Sequence, residues 1–212
     1  MIWKNVILTK LVVGVASTFL FSDQPIISFK NGVVEIVNHE DENSSIVNVE
    51  LNYSVDSNSL LATSKGSRVQ LNSENAIWRL GSLSLARWPN NDSIWIHSGS
   101  ALYCSRVSKT ITFTSRNASA IFTGKGTIIV EALENGGFKF IPIESDGELT
   151  TSNGGSIKTI GGRMLLVLGP KSYYGDAYDL DLILLLKSSR LINSFPQPLS
   201  TFDQIGLAIY TQ

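Results

Sequence analysis

Cysteine occurs once in the 212 residues, at Cys104, and histidine and methionine occur twice each. A lone thiol excludes a disulfide framework within the chain and any metal site built from cysteine alone. Charge of one sign is lacking too. Lysine and arginine number 17 against 18 aspartates and glutamates, a formal net charge of −1. Without a basic excess to neutralise phosphates, nucleic acid is not an expected partner. What is abundant is apolar: hydrophobic residues make up 43% and charged residues 17%. That composition excludes wholesale disorder and supplies a sizeable core. The length fits one domain, or one domain with an appendage.

Long hydrophobic runs are also scarce. One lies at the N-terminus, LVVGVASTFLF from Leu11 to Phe21, preceded by Lys4 and Lys10 and followed by Ser22, Asp23 and Gln24. It falls short of the roughly 20 apolar residues that a spanning helix needs. A positive start, an apolar middle and an abrupt polar end predict an export signal over residues 1–22. Ala16 and Thr18, or Leu20 and Ser22, offer small residues for cleavage. An uncleaved signal would be the chain's only contact with a membrane.

From Ile26 onward the pattern is β. Asn31-Gly32 lies between two apolar runs and predicts a hairpin turn. HEDENSS (39–45) reads as a loop. IVNVELNY (46–53) alternates, with Val47, Val49 and Leu51 on one face. SRVQL (67–71) points Val69 and Leu71 inward, SIWIHS (93–98) Ile94 and Ile96, and TITFT (110–114) Ile111 and Phe113. Glu134-Asn135-Gly136-Gly137 predicts a second hairpin between TIIVEAL (127–133) and FKFIPIE (138–144). Strands spaced by about 8–12 residues with turn chemistry between them predict a sandwich or roll.

The character changes after Pro170. DAYDLDLILLLKSSRL (176–191) has no turn residues, and its acidic start and basic end suit a helix capped by Asp176. A final helix is expected over 200–212, with Ser200 or Thr201 as its cap. A helix as apolar as the first must pack on the body or on a partner.

Several residue groups invite a chemical reading. Cys104 and His97 would need hydrogen-bond contact and an orienting third group to act as nucleophile and base. The plainer expectation is a semi-buried thiol and a surface imidazole. SAIFTGKGT (119–127) has Ser119 and Gly126 where a phosphate loop needs glycine and Ser or Thr, so it reads as a strand ending in a glycine turn. His39-Glu40-Asp41-Glu42 and the set Asp176, Asp179 and Asp181 are acidic clusters. Neither has the glycine-containing loop of a hard-cation site. No catalytic, cofactor-binding or metal-binding residue is therefore assigned. Trp78, Trp88 and Trp95, with Arg79 and Arg87, could stack on sugar rings and bond their hydroxyls. Core packing is the favoured expectation, and Trp88, beside Pro89-Asn90-Asn91-Asp92 at an expected turn, is the best candidate for exposure. Leu182, Leu185 and Leu186 would form a partner surface if the helix does not dock on its own body.

Taken in order, GVVEI (32–36), LLATSKGSRVQL (60–71), IWRLGSLSL (77–85), HSGSALY (97–103), ASAIFTGKGT (118–127), GFKFIPIESDGEL (137–149) and GGRMLLVLG (161–169) resemble FecR-like domain proteins of the bacterial envelope. DLDLILLLKSSRLI (179–192) is similar to a helical tail in a subset of them. The resemblance implies a mainly β domain over 26–170, a sandwich or roll of many short strands, with one or two C-terminal helices in 176–212. FecR regulators themselves resemble a three-part machine, with a cytoplasmic sigma-factor-binding domain, a membrane helix and a periplasmic domain that touches a receptor. With a signal at Met1, this chain is expected to lack the cytoplasmic part. The expectation is a non-enzymatic exported protein of the periplasm or cell surface, serving as an interaction or assembly module. Its partner would be another envelope protein or a surface polysaccharide. A carbohydrate-binding module and a periplasmic regulator of FecR type are the alternatives.

Overall fold

Alternating side chains commit these segments to strands with one buried face, and the strands must then find a common core. The computed structural model describes residues 24–38 and 45–211. The export segment (1–22) and the His39–Glu42 cluster lie outside the described residues. The body is mainly β, as expected. Its strands are β1 Ile26–Asn31, β2 Val34–Asn38, β3 Ser45–Asn48, β4 Leu60–Thr63, β5 Arg68–Ser73, β6 Ala76–Leu80, β7 Leu85–Asn90, β8 Ser93–Ser98, β9 Ser100–Thr114, β10 Ser119–Ala132, β11 Phe138–Thr151, β12 Gly155–Lys158, β13 Arg163–Leu168 and β14 Tyr173–Asp179. Three short helices follow: α1 Leu182–Ser188, α2 Arg190–Asn193 and α3 Phe202–Thr211. Among the described residues no helix is long and apolar enough to cross a membrane.

All of these strands belong to one open, branched sheet rather than two separately bonded ones. The branch point is β9. Its first half, Ala101–Cys104, pairs with β6, which carries β5 and then β1. Its last residues, Thr112–Thr114, run parallel to Ser93–Trp95 of β8, which leads on to β7, β4, β2 and β3. Both branches turn their apolar faces to one core. The Trp78 ring lies 6.1 Å from Trp88, 4.8 Å from Tyr103 and 6.3 Å from Phe113, centre to centre. Val69, Leu71, Ile94, Ile96, Ile111 and Phe113 are buried as the alternation predicted.

The other face of β9, β10 and β11 is apolar as well. Leu102, Cys104, Ile129, Ile141 and Ile143 join Leu182, Leu191, Ile192, Leu199 and Ile205 of the C-terminal segment in a second core. This is why ALYC, IIV and FIPI read as continuous apolar runs: strands covered on both faces lose their alternation. A register shift beside Ile143 lets β11 bury Phe138 and Phe140 before it and Leu149 after it on the same side.

Several local expectations are corrected. Asn31-Gly32 does turn the chain, with Gly32 at φ +79°, but β1 and β2 do not pair. Val33 N–H donates to Ser67 Oγ at 2.9 Å, and the turn sends β1 to one branch and β2 to the other. The alternating 46–53 stretch is a strand only through Asn48. Val49 is buried, but Val47 and Leu51 are exposed, and the chain turns where Asn52 N–H donates to the Ile27 carbonyl. Gly124 and Gly126 do not end a strand. β10 runs through both, and the pair bends it against β11 so closely that a Cβ at either would overlap a carbonyl oxygen of β11. The hairpin at 134–137 forms as expected, closed by Gly136 N–H donating to Leu133 O and Leu133 N–H to Gly137 O, both at 2.9 Å.

The helix predicted from Asp176 begins later. Residues 173–179 are instead drawn into β14 by their ladder with β13, so the β body continues past Pro170. Asp181, not Asp176, caps α1, accepting from Leu184 N–H at 2.9 Å. Ser189, in an extended conformation, then separates α1 from α2. Thr201 stands at the start of the final helix. Its carbonyl accepts from Gln204 and Ile205, while its hydroxyl points elsewhere.

Candidate functional site

The outward face of β5 and β6 carries Gln70 and Arg79, polar as strand alternation requires, yet both are buried. They are covered by the C-terminal segment. Among the described residues Arg79 has no carboxylate partner within ion-pair distance. Its Nε donates to Gln70 Oε1 at 2.9 Å, Nη1 to the carbonyls of Leu191 at 2.9 Å and Ile192 at 3.1 Å, and Nη2 to that of Gln197 at 2.5 Å. The guanidinium lies 4.3 Å from the centre of the Phe195 ring. Burial lowers its pKa to about 10, so it remains a cation at neutral pH. A buried charge is tolerated only when it is densely hydrogen-bonded, and here the carbonyl dipoles of the tail supply that.

Two further arginines grip the same segment by its backbone. Arg68 donates to the Ser194 carbonyl at 2.6 Å. Arg106 donates to the Ser200 carbonyl and pairs with Asp203 at 2.5 Å. Beside Arg106 a buried polar seam runs from β9 across β10 to β11. Cys104 Sγ is 3.3 Å from Ser200 Oγ and 3.5 Å from Thr201 Oγ1, and Thr127 Oγ1 is 2.5 Å from Thr201 Oγ1. Glu144 of β11 ends the seam. Only 9% of it is exposed, and its Oε1 lies buried without a hydrogen-bond partner. Burial raises its pKa above the ordinary 4.5, against the opposing influence of the Thr201 and Thr127 hydroxyls and of Arg106. Beside Glu144 opens a cleft of about 750 Å³ between the β10–β11 hairpin and α3, with Lys125, Asp146, Asp179, Gln204 and Leu207 among its walls.

The residues singled out in the sequence fall elsewhere. Trp88 is 2% exposed and Trp78 1%: both fill the first core, as the favoured expectation had it, and Trp88, the candidate for exposure, cannot stack on an external ring any more than Trp78 can. Trp95 is half-buried, with its ring 5.3 Å from His97 and 5.6 Å from the Arg87 guanidinium. Leu182 is buried in the second core, and Leu185 and Leu186 pack against it. They dock on their own body, and the exposed apolar side of α1 is Ile183 and Leu184. Cys104 faces the tail while His97 faces Trp95, so the two do not form a pair. Ser119–Thr127 is paired strand rather than a phosphate loop. Asp179 bonds Arg163 at 2.8 Å and Asp181 caps α1, whereas Asp176 lies in β14. Among the described residues no group of three or more His, Cys, Asp or Glu side chains is placed to hold a metal ion.

Glu144 was not singled out from the sequence, and Arg79 was considered only as a partner for sugar hydroxyls, although each leaves a trace there. Each is a single charge next to apolar neighbours, in WRL and IPIE. Such a residue on a strand whose outer face is expected to be wet gives no sign that a distant segment covers it. No family model matches the chain, and no curated protein is significantly similar to it in sequence.

Proposed function

We propose that the chain is a non-enzymatic exported protein of the cell envelope, whose FecR-like β body serves as an interaction or assembly module. The observation that carries this reading is the use to which the body puts the polar groups on the face beneath the tail. Arg79, Arg106, Cys104 and Thr127 are all engaged in seating the chain's own C-terminal segment. Export is supported by the basic, apolar and polar order of residues 1–24. Contact surface is supplied by the exposed Ile183, Leu184, Leu207 and Tyr210 at the helical end. Cell fractionation with crosslinking and affinity capture tests the reading. The protein is expected in the envelope fraction, joined to a recurrent protein partner. Recovery of the full-length chain as a soluble cytoplasmic protein overturns it.

A second reading, a module for surface polysaccharide, rests on Trp95 alone. Of the three candidate tryptophans it is the one with an accessible face, flanked by Arg87 and His97. Glycan-array binding that is lost in Trp95→Ala would favour it. A role as a periplasmic regulator of FecR type would instead require a receptor or sigma-factor system as the captured partner.

A further inference from the structure

Glu144 sits where the two halves of the structure meet. β11 holds its backbone, β10 contributes Thr127, β9 contributes Arg106, and the tail places Thr201 against it. One carboxyl oxygen is buried and unpartnered. A neutral carboxylic acid is tolerable in such a place, whereas a carboxylate is not unless a cation or several donors meet it.

The charges around it do not meet that need. Arg106 is the nearest cation, but it is already bound to the Ser200 carbonyl and neutralised by Asp203. Lys125 and Asp146 line the cleft with opposite charges. Asp179, also on the cleft wall, is neutralised by Arg163. Cys104 contributes a thiol 3.5 Å from Thr201 Oγ1. Thr127 and Thr201 share one hydrogen bond, which uses one hydroxyl proton; the remaining hydroxyl proton and the Thr127 N–H face the carboxyl, yet Oε1 is left without a donor among the described residues. Glu144 itself forms part of the cleft wall, but its Oε1 is sealed from that space, and movement of the tail packed against it would bring water to that atom.

We propose that Glu144 is a proton-controlled latch: its neutral carboxyl lets residues 199–211 stay seated over the second core, and its ionisation lifts them and widens the cleft. Arg79 and Arg68 hold the earlier part of the tail by carbonyls of residues 191–197, contacts that do not involve Glu144. Opening is therefore confined to the end that contains α3. The hinge lies near Pro198, between Gln197, the last residue held by Arg79, and Leu199.

The chain carries its own reporter. Cys104 is its single cysteine, fully buried beneath Ser200 and Thr201. The rate of labelling by an uncharged maleimide is measured on the intact protein and on Glu144→Gln from pH 4 to pH 9. Dividing one rate by the other at each pH cancels the pH dependence of the labelling chemistry that the two proteins share. The expected ratio of wild type to Glu144→Gln rises above the ordinary carboxyl pKa by up to tenfold per pH unit, the limit for release of one proton, and then levels off. A ratio that is flat with pH overturns the proposal. Should Glu144→Gln not fold, hydrogen exchange on the unaltered protein decides. After correction for intrinsic rates, α3 amides must lose protection with rising pH while β5 and β6 amides keep theirs. Equal loosening of both, or of neither, overturns the proposal.

Discussion

The guanidinium of Arg79 lies 4.3 Å over the ring of Phe195, more than a hundred residues away in sequence, and the two are joined further by carbonyl bonds on either side of that ring. The side chain of a central strand thus reads the backbone of the tail. Arg79→Lys is not a conservative change here, because an ammonium cannot reproduce a planar fork that serves several acceptors at once. Hydrogen bonds to charged groups contribute about 1.5–3 kcal/mol each, and their losses do not add fully. Arg79→Ala is therefore expected to lower unfolding stability by about 3–5 kcal/mol, with Arg79→Lys in between, as read from urea midpoints. A loss below about 1 kcal/mol in Arg79→Ala would show that the tail does not depend on this contact.

The tryptophans provide a second, independent contrast. Trp78 and Trp88 meet edge to face at 6.1 Å inside the first core, where neither is accessible. Truncation of a buried tryptophan to alanine costs about 3–5 kcal/mol. Trp95 packs on the outer side against His97 and Arg87, a contact of about 0.5–1 kcal/mol where exposed. Trp78→Ala and Trp88→Ala are expected to shift the denaturation midpoint strongly and Trp95→Ala only slightly. Equal effects at Trp88 and Trp95 would contradict this assignment of interior and surface.

Much of this division was legible in advance. Period-two alternation placed Val69, Leu71, Ile94, Ile96, Ile111 and Phe113 inside, because burial on one face is all that those strands require. The hairpin at 134–137 was legible because turn chemistry is local. The pairing of β1 with β5 rather than β2 was not, since Asn31-Gly32 specifies a change of direction and says nothing about where the next strand goes. β14 was misread as helix because its acidic residues suit a helix start, and its partner β13 lies outside any local window. The polar seam of Cys104, Thr127, Glu144 and Thr201 was invisible for a similar reason. Its members come from four separate segments, and only the docking of the tail brings them together.

Gly124 and Gly126 yield a test of the β10 bend. Both have positive φ, +156° and +130°, and a side chain at either would strike the carbonyl oxygen of Asp146 or Glu144. The obstacle is backbone, which cannot swing aside as a side chain would. Gly124→Ala and Gly126→Ala are expected to cost about 2–4 kcal/mol each, combining steric and conformational strain. Gly155 also has positive φ, +71°, but nothing lies within 4 Å of its would-be Cβ. Gly155→Ala should cost only the conformational preference, about 1–2 kcal/mol. Differential scanning calorimetry of the three variants should separate the first two from the third. If all three melt together, close approach of β11 is not what demands glycine.

Two carboxyls give the stability–pH profile opposite slopes. Asp179 is held below its ordinary pKa of 3.8 by its hydrogen bond to Arg163 and by the charge of that arginine. Its contribution is present above that pH and is lost as pH falls through the lowered value. Glu144 behaves in the reverse sense. Burial raises its pKa from 4.5, so the native state holds a proton that the unfolded chain has already released. Its stabilising share is whole below pH 4.5 and declines as pH rises through the raised value, after which it stays lost. Urea unfolding at several pH values should therefore show a decline above about pH 4.5 that Glu144→Gln abolishes, since an amide cannot ionise. Asp179→Asn should leave that decline intact and affect only the acid side, and weakly, because the pair is exposed to solvent. A wild-type profile that rises with pH where Glu144 ionises would mean that the seam accepts a carboxylate, with Arg106 turned toward it and away from Asp203.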